Sequence, residues 1–138
     1  IAFFFFLSAC MFISATARAE NAESFSKARS AADSWLAIVD STDYAQSWEK
    51  TAELFRSTVT RSKWKNDLEK SRLPLGGVKS RTLTRTLPNA PAGEYVVVQY
   101  ASLFDHDVKV IETVTSMREA DGSWKVTGYY IRPLDLKR

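Results

Sequence analysis

Apolar positions recur with a helical period in the first half of the chain and with a strand period in the second half. Within 22–40, apolar side chains return every three or four residues, which predicts an amphipathic helix with one buried stripe. The same spacing predicts a second helix over 44–56 and a third, shorter helix over 60–71, with Thr60 as its N-cap. The segment 73–77 ends the helical part, because its Pro and Gly residues disfavour helix.

Polar and apolar residues alternate after residue 77, and this period of two is typical of half-buried strands. Short connections favour antiparallel neighbours, and helices followed by strands indicate an α+β domain. We therefore expect three N-terminal helices packed on a curved four-stranded antiparallel sheet, in one domain over 20–138. The strands are predicted over 78–87, 94–104, 108–119 and 124–131, with a loop at 88–93, a turn at 105–107 and a hairpin turn at Asp121-Gly122.

The first 19 residues have the features of a secretory signal peptide. Residues 2–15 are almost wholly apolar, but this run is shorter than the about 20 residues that a membrane-spanning helix needs. It is followed by Ala17-Arg18-Ala19, an A-x-A cleavage pattern, and then by Glu20. We expect cleavage after Ala19 and a mature protein in the bacterial periplasm or outside the cell.

A lipoprotein signal is the alternative interpretation of the same segment. Leu7-Ser8-Ala9-Cys10 resembles a lipobox, in which Cys10 is lipidated and becomes the first residue of the mature protein. The apolar residues Met11-Phe12-Ile13 that follow disfavour this alternative, because a lipoprotein normally continues with a polar tether. Attachment to a membrane is expected only if Cys10 is lipidated.

Composition excludes several classes of protein. The chain has 138 residues, of which 45% are hydrophobic and 25% charged, values typical of one folded domain and not of a disordered chain. A single Cys and a single His exclude a disulfide framework and the usual zinc sites. The His lies in Asp105-His106-Asp107, whose adjacent side chains rarely converge on one metal ion. We expect no metal and no cofactor.

Positive charge is concentrated in one part of the chain, the basic segment 56–85. It holds nine basic and two acidic residues, whereas the whole chain carries a net charge of only +3. One interpretation is a surface for an anionic envelope component, such as phospholipid headgroups or a cell-wall polymer, or for an acidic protein. The other is a solvated helix face and an edge strand protected by its charges. Nucleic acid is not expected as a partner, because the signal peptide directs export and no aromatic-basic motif for bases is present.

Glu112 is the candidate with the most definite chemistry. It lies between two valines on one face of the third predicted strand, so burial of that face would place a carboxylate in the core. A buried carboxylate needs a cation, and Arg81 is the favoured partner. With Tyr100 or Tyr130, Glu112 could form an acid/base pair; otherwise it is half of a structural ion pair or faces solvent. The remaining candidate binding residues are Arg56 and Arg72, behind Arg81.

Several motifs are spread over the predicted domain. They include Trp35-Leu36 with Val39-Asp40, Arg72-Leu73-Pro74-Leu75-Gly76, and Asp121-Gly122-Ser123-Trp124-Lys125-Val126 leading into Gly128-Tyr129-Tyr130-Ile131. Over about residues 30–131 the chain resembles a bacterial family, the domain of unknown function numbered 4019. The resemblance implies an exported domain with a cystatin-like or nuclear-transport-factor-like roll, a fold that hosts enzymes, ligand carriers and assembly modules. Two functions stay open: a non-enzymatic ligand- or protein-binding module, and a small acid/base enzyme of the ketosteroid-isomerase-like roll type that uses Glu112.

Overall fold

Four α-helices are followed by a four-stranded antiparallel sheet in the computed structural model, which describes residues 9–89 and 94–134. The strands lie in chain order and the sheet is not closed, so the α+β prediction is confirmed. Part of the predicted loop, residues 90–93, lies outside the described residues. The elements are α1 (Ala9–Asp40), α2 (Tyr44–Glu49), α3 (Glu53–Thr58), α4 (Arg61–Ser71), β1 (Val78–Asn89), β2 (Tyr95–Phe104), β3 (Lys109–Arg118) and β4 (Trp124–Pro133).

Helix α1 begins at Ala9, well before the predicted start at residue 22. The added segment contains neither Pro nor Gly and several alanines, so its residues favour helix although no apolar stripe marks them. The side chains of residues 16–23 are exposed, and Ala28 is the first fully buried residue of the described side chains. The signal-peptide and lipobox predictions depend partly on residues 1–8 and on the side chain of Cys10. These lie outside the described part of the chain. No helix within that part is both long and apolar enough to cross a membrane.

The predicted second helix is wrong, because the chain leaves the helical conformation between α2 and α3. Asp43 caps the start of α2 by accepting a hydrogen bond from the N–H of Gln46 at 3.1 Å. After α2, Thr51 forms a parallel bridge with Val126 of β4, and the N–H of Ala52 donates to the Val126 carbonyl at 2.7 Å. Pairing with the free edge of β4 therefore overrides the local helical spacing.

The predicted third helix and the predicted hairpin are confirmed. Helix α4 has Thr60 as its N-cap, whose side chain accepts a hydrogen bond from the N–H of Lys63 at 3.2 Å. The turn between β3 and β4 contains Gly122 at a φ of 85°, in the left-handed region that glycine adopts without strain. Both elements were readable from sequence because their signals are local.

One face of the sheet, the inner face, packs against the helices and forms the core. Every second residue of β2 is buried, which is the expected strand alternation. Burial of a large apolar side chain contributes about 1.5–3 kcal/mol, so this layer dominates the stability of the domain. The core consists of Ala28, Ala32, Trp35, Leu36 and Val39 of α1, Tyr44, Trp64 and Leu68 of the other helices, and Val96, Val98, Tyr100, Val114 and Val126 of the sheet.

The opposite face of the sheet, the outer face, is more open. Strand pairing brings together outer-face neighbours, such as Val97 with Leu87 on β1, and Thr113 with Tyr130 on β4. Tyr130 is 65% exposed, and Leu87 is also exposed. The amide of Gln99 donates to the hydroxyl of Thr113 at 3.1 Å on this face.

Strand β1 forms one edge of the sheet and is irregular. Its pairing with β2 shifts register between Val78 and Ser80 and again between Leu83 and Arg85, as in β-bulges. At the second shift the hydroxyl of Thr84 donates to the carbonyl of Gln99 at 3.1 Å. Strand β1 therefore presents an interrupted row of backbone groups at its free edge.

Candidate functional site

Glu112 lies on the inner face of β3 and is fully buried, with 0% of its surface exposed. Its Oε1 atom accepts hydrogen bonds from the hydroxyl of Ser102 at 2.5 Å and from Nε of Arg81 at 2.8 Å. Its Oε2 atom accepts a hydrogen bond from the hydroxyl of Tyr129. Both carboxylate oxygens are therefore satisfied inside the protein, as a buried charge requires.

Arg81 connects Glu112 to the last residue of α1. Its Nη1 and Nη2 atoms donate to the two carboxylate oxygens of Asp40 at 2.8 and 3.0 Å, a bidentate arrangement. Arg72 donates from Nη2 to Oδ1 of Asp40 at 2.5 Å. The two arginines balance the two carboxylates, and they also offset the unfavourable position of an acid at a helix C-terminus. We call this set the buried ion network: Asp40, Arg72, Arg81, Ser102, Glu112 and Tyr129.

The pKa shifts of Asp40, Arg81 and Tyr129 favour the ordinary protonation states of these three groups at neutral pH. Burial by itself raises the pKa of Asp40, but the hydrogen bonds and charges of Arg81 and Arg72 outweigh it and leave that pKa below its ordinary value. Burial opposes the charge of Arg81, but Asp40 and Glu112 outweigh it and raise the pKa of Arg81. Burial, followed by the charge and hydrogen bond of Glu112, raises the pKa of Tyr129. None of these three shifts moves a group towards titration at neutral pH.

Arg72 anchors the loop between α4 and β1. Its side chain is 3% exposed, its guanidinium lies 4.1 Å from the ring centre of Phe104, and its Nη1 donates to the carbonyl of Gly76 at 3.1 Å. Gly76 has a φ of 74°, and a Cβ atom there would lie 2.6 Å from Oδ2 of Asp105. These contacts fix the loop against the β2–β3 turn, and the close approach to Asp105 requires glycine at position 76.

The structure brings together some of the candidate residues and separates others. Arg81, Arg72 and Glu112 meet in the buried ion network. Arg56 is not part of it, because its Nη1 donates to the backbone carbonyls of Thr51 and, at 3.1 Å, Glu49. Tyr100 lies on the inner face, but its hydroxyl donates to Asp33 of α1 and not to Glu112.

Tyr130 does not contact Glu112, and the expectation that it pairs with this carboxylate is wrong. Of two adjacent tyrosines on a strand, one faces inward and the other outward. A register shift between Thr115 and Ser116 places Tyr129 opposite Val114 on the inner face, and Tyr130 on the outer face. Sequence spacing could not decide between the two, because the shift depends on pairing with β3.

Three members of the network, Asp40, Ser102 and Tyr129, were not anticipated as site residues. Ser102 alternates with Tyr100 and Phe104 along β2, so strand alternation would have assigned it to the inner face. Asp40 is the last residue of the predicted first helix, 22–40. No local signal in the sequence indicates its contacts with Arg72 and Arg81, which lie far along the chain.

The basic segment is not one continuous positive surface, because most of its side chains have a local acidic partner. Arg61 pairs with Glu49 at 2.9 Å, and Lys79 pairs with Asp107 at 3.3 Å. Exposed pairs of this kind contribute little to stability, but they neutralise the local charge. The other paired residues are Lys63 with Asp67, Lys65 with Glu69, and the two arginines of the buried ion network.

The outer face of the sheet carries positive charge instead. Glu112, which points inward, is the single acidic residue within the four strands. The outer-face cations are Arg85, Lys109 and Arg132, all exposed and each opposite an outer-face residue of the neighbouring strand. Lys125 lies on the same face but pairs with Glu119 at 3.3 Å. Between the cations lies the outer apolar surface, formed by the exposed Leu87 and Tyr130 and the half-buried Val97 and Leu103. Ile111 lies on the same face but is buried, at 7% exposed.

No metal centre is formed by the described side chains, among which no three His, Cys, Asp or Glu residues lie close enough to hold an ion. The fold and the site thus define a small α+β domain with a buried ion network on one face of its sheet and a cationic, partly apolar surface on the other. The model of a family described as a protein of unknown function (DUF4019) matches residues 31–129, and the chain belongs to this family. The predicted family is confirmed. No curated protein matches the chain.

Proposed function

We propose that the chain is an exported binding module and not an enzyme, with the outer face of the sheet as its binding surface. The observation that carries this proposal is the exposure of Tyr130, at 65%, among the apolar residues of the outer face and three cations that form no ion pair with the described residues. Exposed apolar surface rimmed by charged side chains is typical of interaction sites. Burying this surface against a partner is the simplest use of a face that contributes little to the core.

The enzyme alternative is the weaker one, since an acid/base group must come within hydrogen-bonding distance of its substrate. Glu112 is fully buried, and its two oxygens are already occupied by donors from Ser102, Arg81 and Tyr129. A substrate would have to displace at least one of these donors and open the core. The arrangement supports a structural role for Glu112.

Export is supported by the way in which α1 joins the domain. The described side chains before residue 24 are exposed, so cleavage after Ala19 would remove none of the core residues. The mature chain would begin four residues before the first partly buried side chain, Ser24. A domain that retains its whole core after cleavage is compatible with a signal peptide at this position.

Export is tested by expressing the full chain in a bacterial host and measuring the mass of the intact protein recovered from the periplasm. A mass that begins at Glu20 is expected. A protein that stays in the cytoplasm with its N-terminus intact would contradict export. A lipidated N-terminus at Cys10 would instead identify the lipoprotein alternative.

Binding is tested by incubating the exported protein, immobilised, with envelope extract at low salt. The protein is compared with Tyr130→Ser and with a control, Leu73→Ser, which alters an apolar residue of similar exposure (50%) away from the outer face. We expect retention of envelope material by the wild type and by the control, and at least a fivefold loss with Tyr130→Ser. Equal retention by all three proteins, or none by any, would contradict the proposal.

A further inference from the structure

We infer that the outer face of the sheet docks on the surface of an anionic phospholipid bilayer. The inference rests on the proposed function and adds the chemistry of the partner. Docking here means reversible adsorption of a folded domain, which requires neither a spanning helix nor a lipid anchor.

The distribution of charge on the sheet is the first argument. Arg85, Lys109 and Arg132 are exposed on the outer face, and no carboxylate from the strands lies on that face. Among the described residues no ion pair involves these three cations, whereas Arg61, Lys63 and Lys79 have acidic partners within 4 Å. Lys50 and Lys70 are also exposed without an ion pair, but they lie in the helical layer and therefore serve as a control below. An unneutralised cationic face is complementary to a surface of like negative charges, such as phosphate headgroups.

The side chains between the cations supply the second argument. Tyr130 presents an apolar ring with a polar hydroxyl, a combination that favours the boundary between headgroups and acyl chains. Leu87 is exposed beside Val97, so aliphatic groups lie on the same surface. Long Arg and Lys side chains can reach headgroups while their aliphatic parts cover apolar neighbours. Cations around an amphipathic centre are the pattern of interfacial binding elements.

A second copy of the chain is disfavoured as the occupant of this face. A symmetric dimer through the outer face would bring the same patch of both subunits together. The outer-face cations would then face one another without a carboxylate from either sheet to pair with them, and like charges in contact are costly. An anionic partner meets no such repulsion.

The experiment measures co-sedimentation of the exported protein with vesicles of phosphatidylcholine alone and of phosphatidylcholine with equimolar phosphatidylglycerol. The outer variant is Arg85→Gln/Lys109→Gln/Arg132→Gln. It is compared with a charge-matched control in the helical layer, Lys50→Gln/Lys65→Gln/Lys70→Gln, whose three lysines are exposed; Lys50 directly follows α2, and the other two lie on α4. Tyr130→Ser is compared with Leu73→Ser. All variants share one N-terminus, so its contribution to binding cancels, and thermal melting confirms that each variant is folded.

We expect binding to the anionic vesicles only, and weaker binding at high salt because screening reduces the attraction. Each cation near an anionic surface contributes roughly a fivefold gain in partitioning, so the outer variant should lose roughly a hundredfold. The control variant should lose far less, and Tyr130→Ser should lose more than Leu73→Ser.

Three results would overturn the inference. Equal losses in the two charge variants would mean that net charge, and not the outer face, governs binding. A dimer in sedimentation equilibrium that Tyr130→Ser dissociates would make the second copy the occupant. Absence of vesicle binding, with Tyr130-dependent retention of envelope protein intact, would make the partner a protein; the proposed function would then stand while this inference fails.

Discussion

The two faces of the sheet differ in the burial and pairing of their charged side chains. On the inner face, the carboxylate of Glu112 is fully buried and held by Arg81, Ser102 and Tyr129. On the outer face, cations are exposed with no carboxylate from the strands beside them. The same strands supply both faces, because successive side chains alternate in direction. The charges of the inner face are therefore paired within the buried ion network, whereas the strands supply no carboxylate to the cations of the outer face.

The largest expected effect comes from removing the inner carboxylate. Glu112→Ala leaves Arg81, Ser102 and Tyr129 without their acceptor in a buried site, and we expect the free energy of unfolding to fall by about 3–5 kcal/mol. Chemical denaturation followed by circular dichroism measures the change. Glu112→Gln, which keeps the volume and an acceptor oxygen, should lose less. A loss below about 1 kcal/mol for Glu112→Ala would show that the network is not a stabilising element of the inner face.

The next effect separates the two adjacent tyrosines. Tyr129→Phe removes the donor to Oε2 of Glu112, and loss of a hydrogen bond to a buried charge should cost about 2 kcal/mol. Tyr130→Phe removes a hydroxyl from an exposed ring and serves as the matched control, with no measurable loss expected. Denaturation midpoints of the two variants give the comparison directly. Similar losses from both would contradict the assignment of the tyrosines to opposite faces.

Two adjacent valines, Val97 and Val98, allow the two faces to be compared without charged groups. The expected change in stability is smaller. Val98 is fully buried on the inner face, whereas Val97 is only half-buried on the outer face. Val98→Ala should cost about 2 kcal/mol, from lost burial and the cavity that remains, and Val97→Ala clearly less. Both values come from urea unfolding under the same conditions. An equal cost would mean that the outer face is as well packed as the core.

The smallest expected effect is a loss of stability at low pH. The pKa of Asp40 is depressed in the folded state, so its contribution to stability is fully present above the unfolded value of about 4 and is lost as the pH falls through the lower, folded value. The side chain is 21% exposed, and solvent screening limits the size of this term. We expect the free energy of unfolding to decrease below about pH 4, and Asp40→Asn to show a shallower decrease. Parallel pH profiles for the two proteins would contradict this source of acid sensitivity.

Local patterns were sufficient for most of the fold. Thr60 marks the start of α4 and Gly122 the β3–β4 turn, and each acts within a few residues of its own position. The break after α2 was not predictable in this way, because Thr51 pairs with Val126, which is distant in the chain. Elements fixed by neighbours in sequence were therefore predicted, and those fixed by tertiary pairing were not.

In the candidate site, too, some residues could be predicted from the sequence and others could not. Alternation around Glu112 predicted a buried carboxylate if the Val110–Val114 face is covered, and Arg81 on the first strand was the favoured partner for it. Asp40, the second carboxylate bound by Arg81, could not be anticipated. It lies at the end of α1 and meets Arg81 only when the helix and the sheet have packed together. The choice of Tyr129 over Tyr130 depends on a register shift between β3 and β4. The sequence thus indicated the Glu112–Arg81 pair on the inner face of the sheet, but not the partners that depend on strand register or on packing between the helices and the sheet.

The local charge of the basic segment also depends on partners outside it. Arg61 pairs with Glu49, and Lys79 pairs with Asp107; both acids lie beyond the segment. Arg85 is the exposed cation of the segment that shares the outer face with Lys109 and Arg132. A count of charges along the chain therefore overestimated how much of the segment's positive charge is free of an acidic neighbour.

The irregular pairing of β1 has a consequence for self-assembly. A regular, apolar edge strand is a template on which further chains can add by backbone pairing, the first step towards fibres. Two bulges interrupt the row of backbone groups in β1, and Lys79 and Arg85 add charges along the strand. At the other edge, Thr51 already occupies part of β4. The bulges and charges of β1 and the Thr51 bridge on β4 therefore both disfavour the addition of further strands at the edges of the sheet.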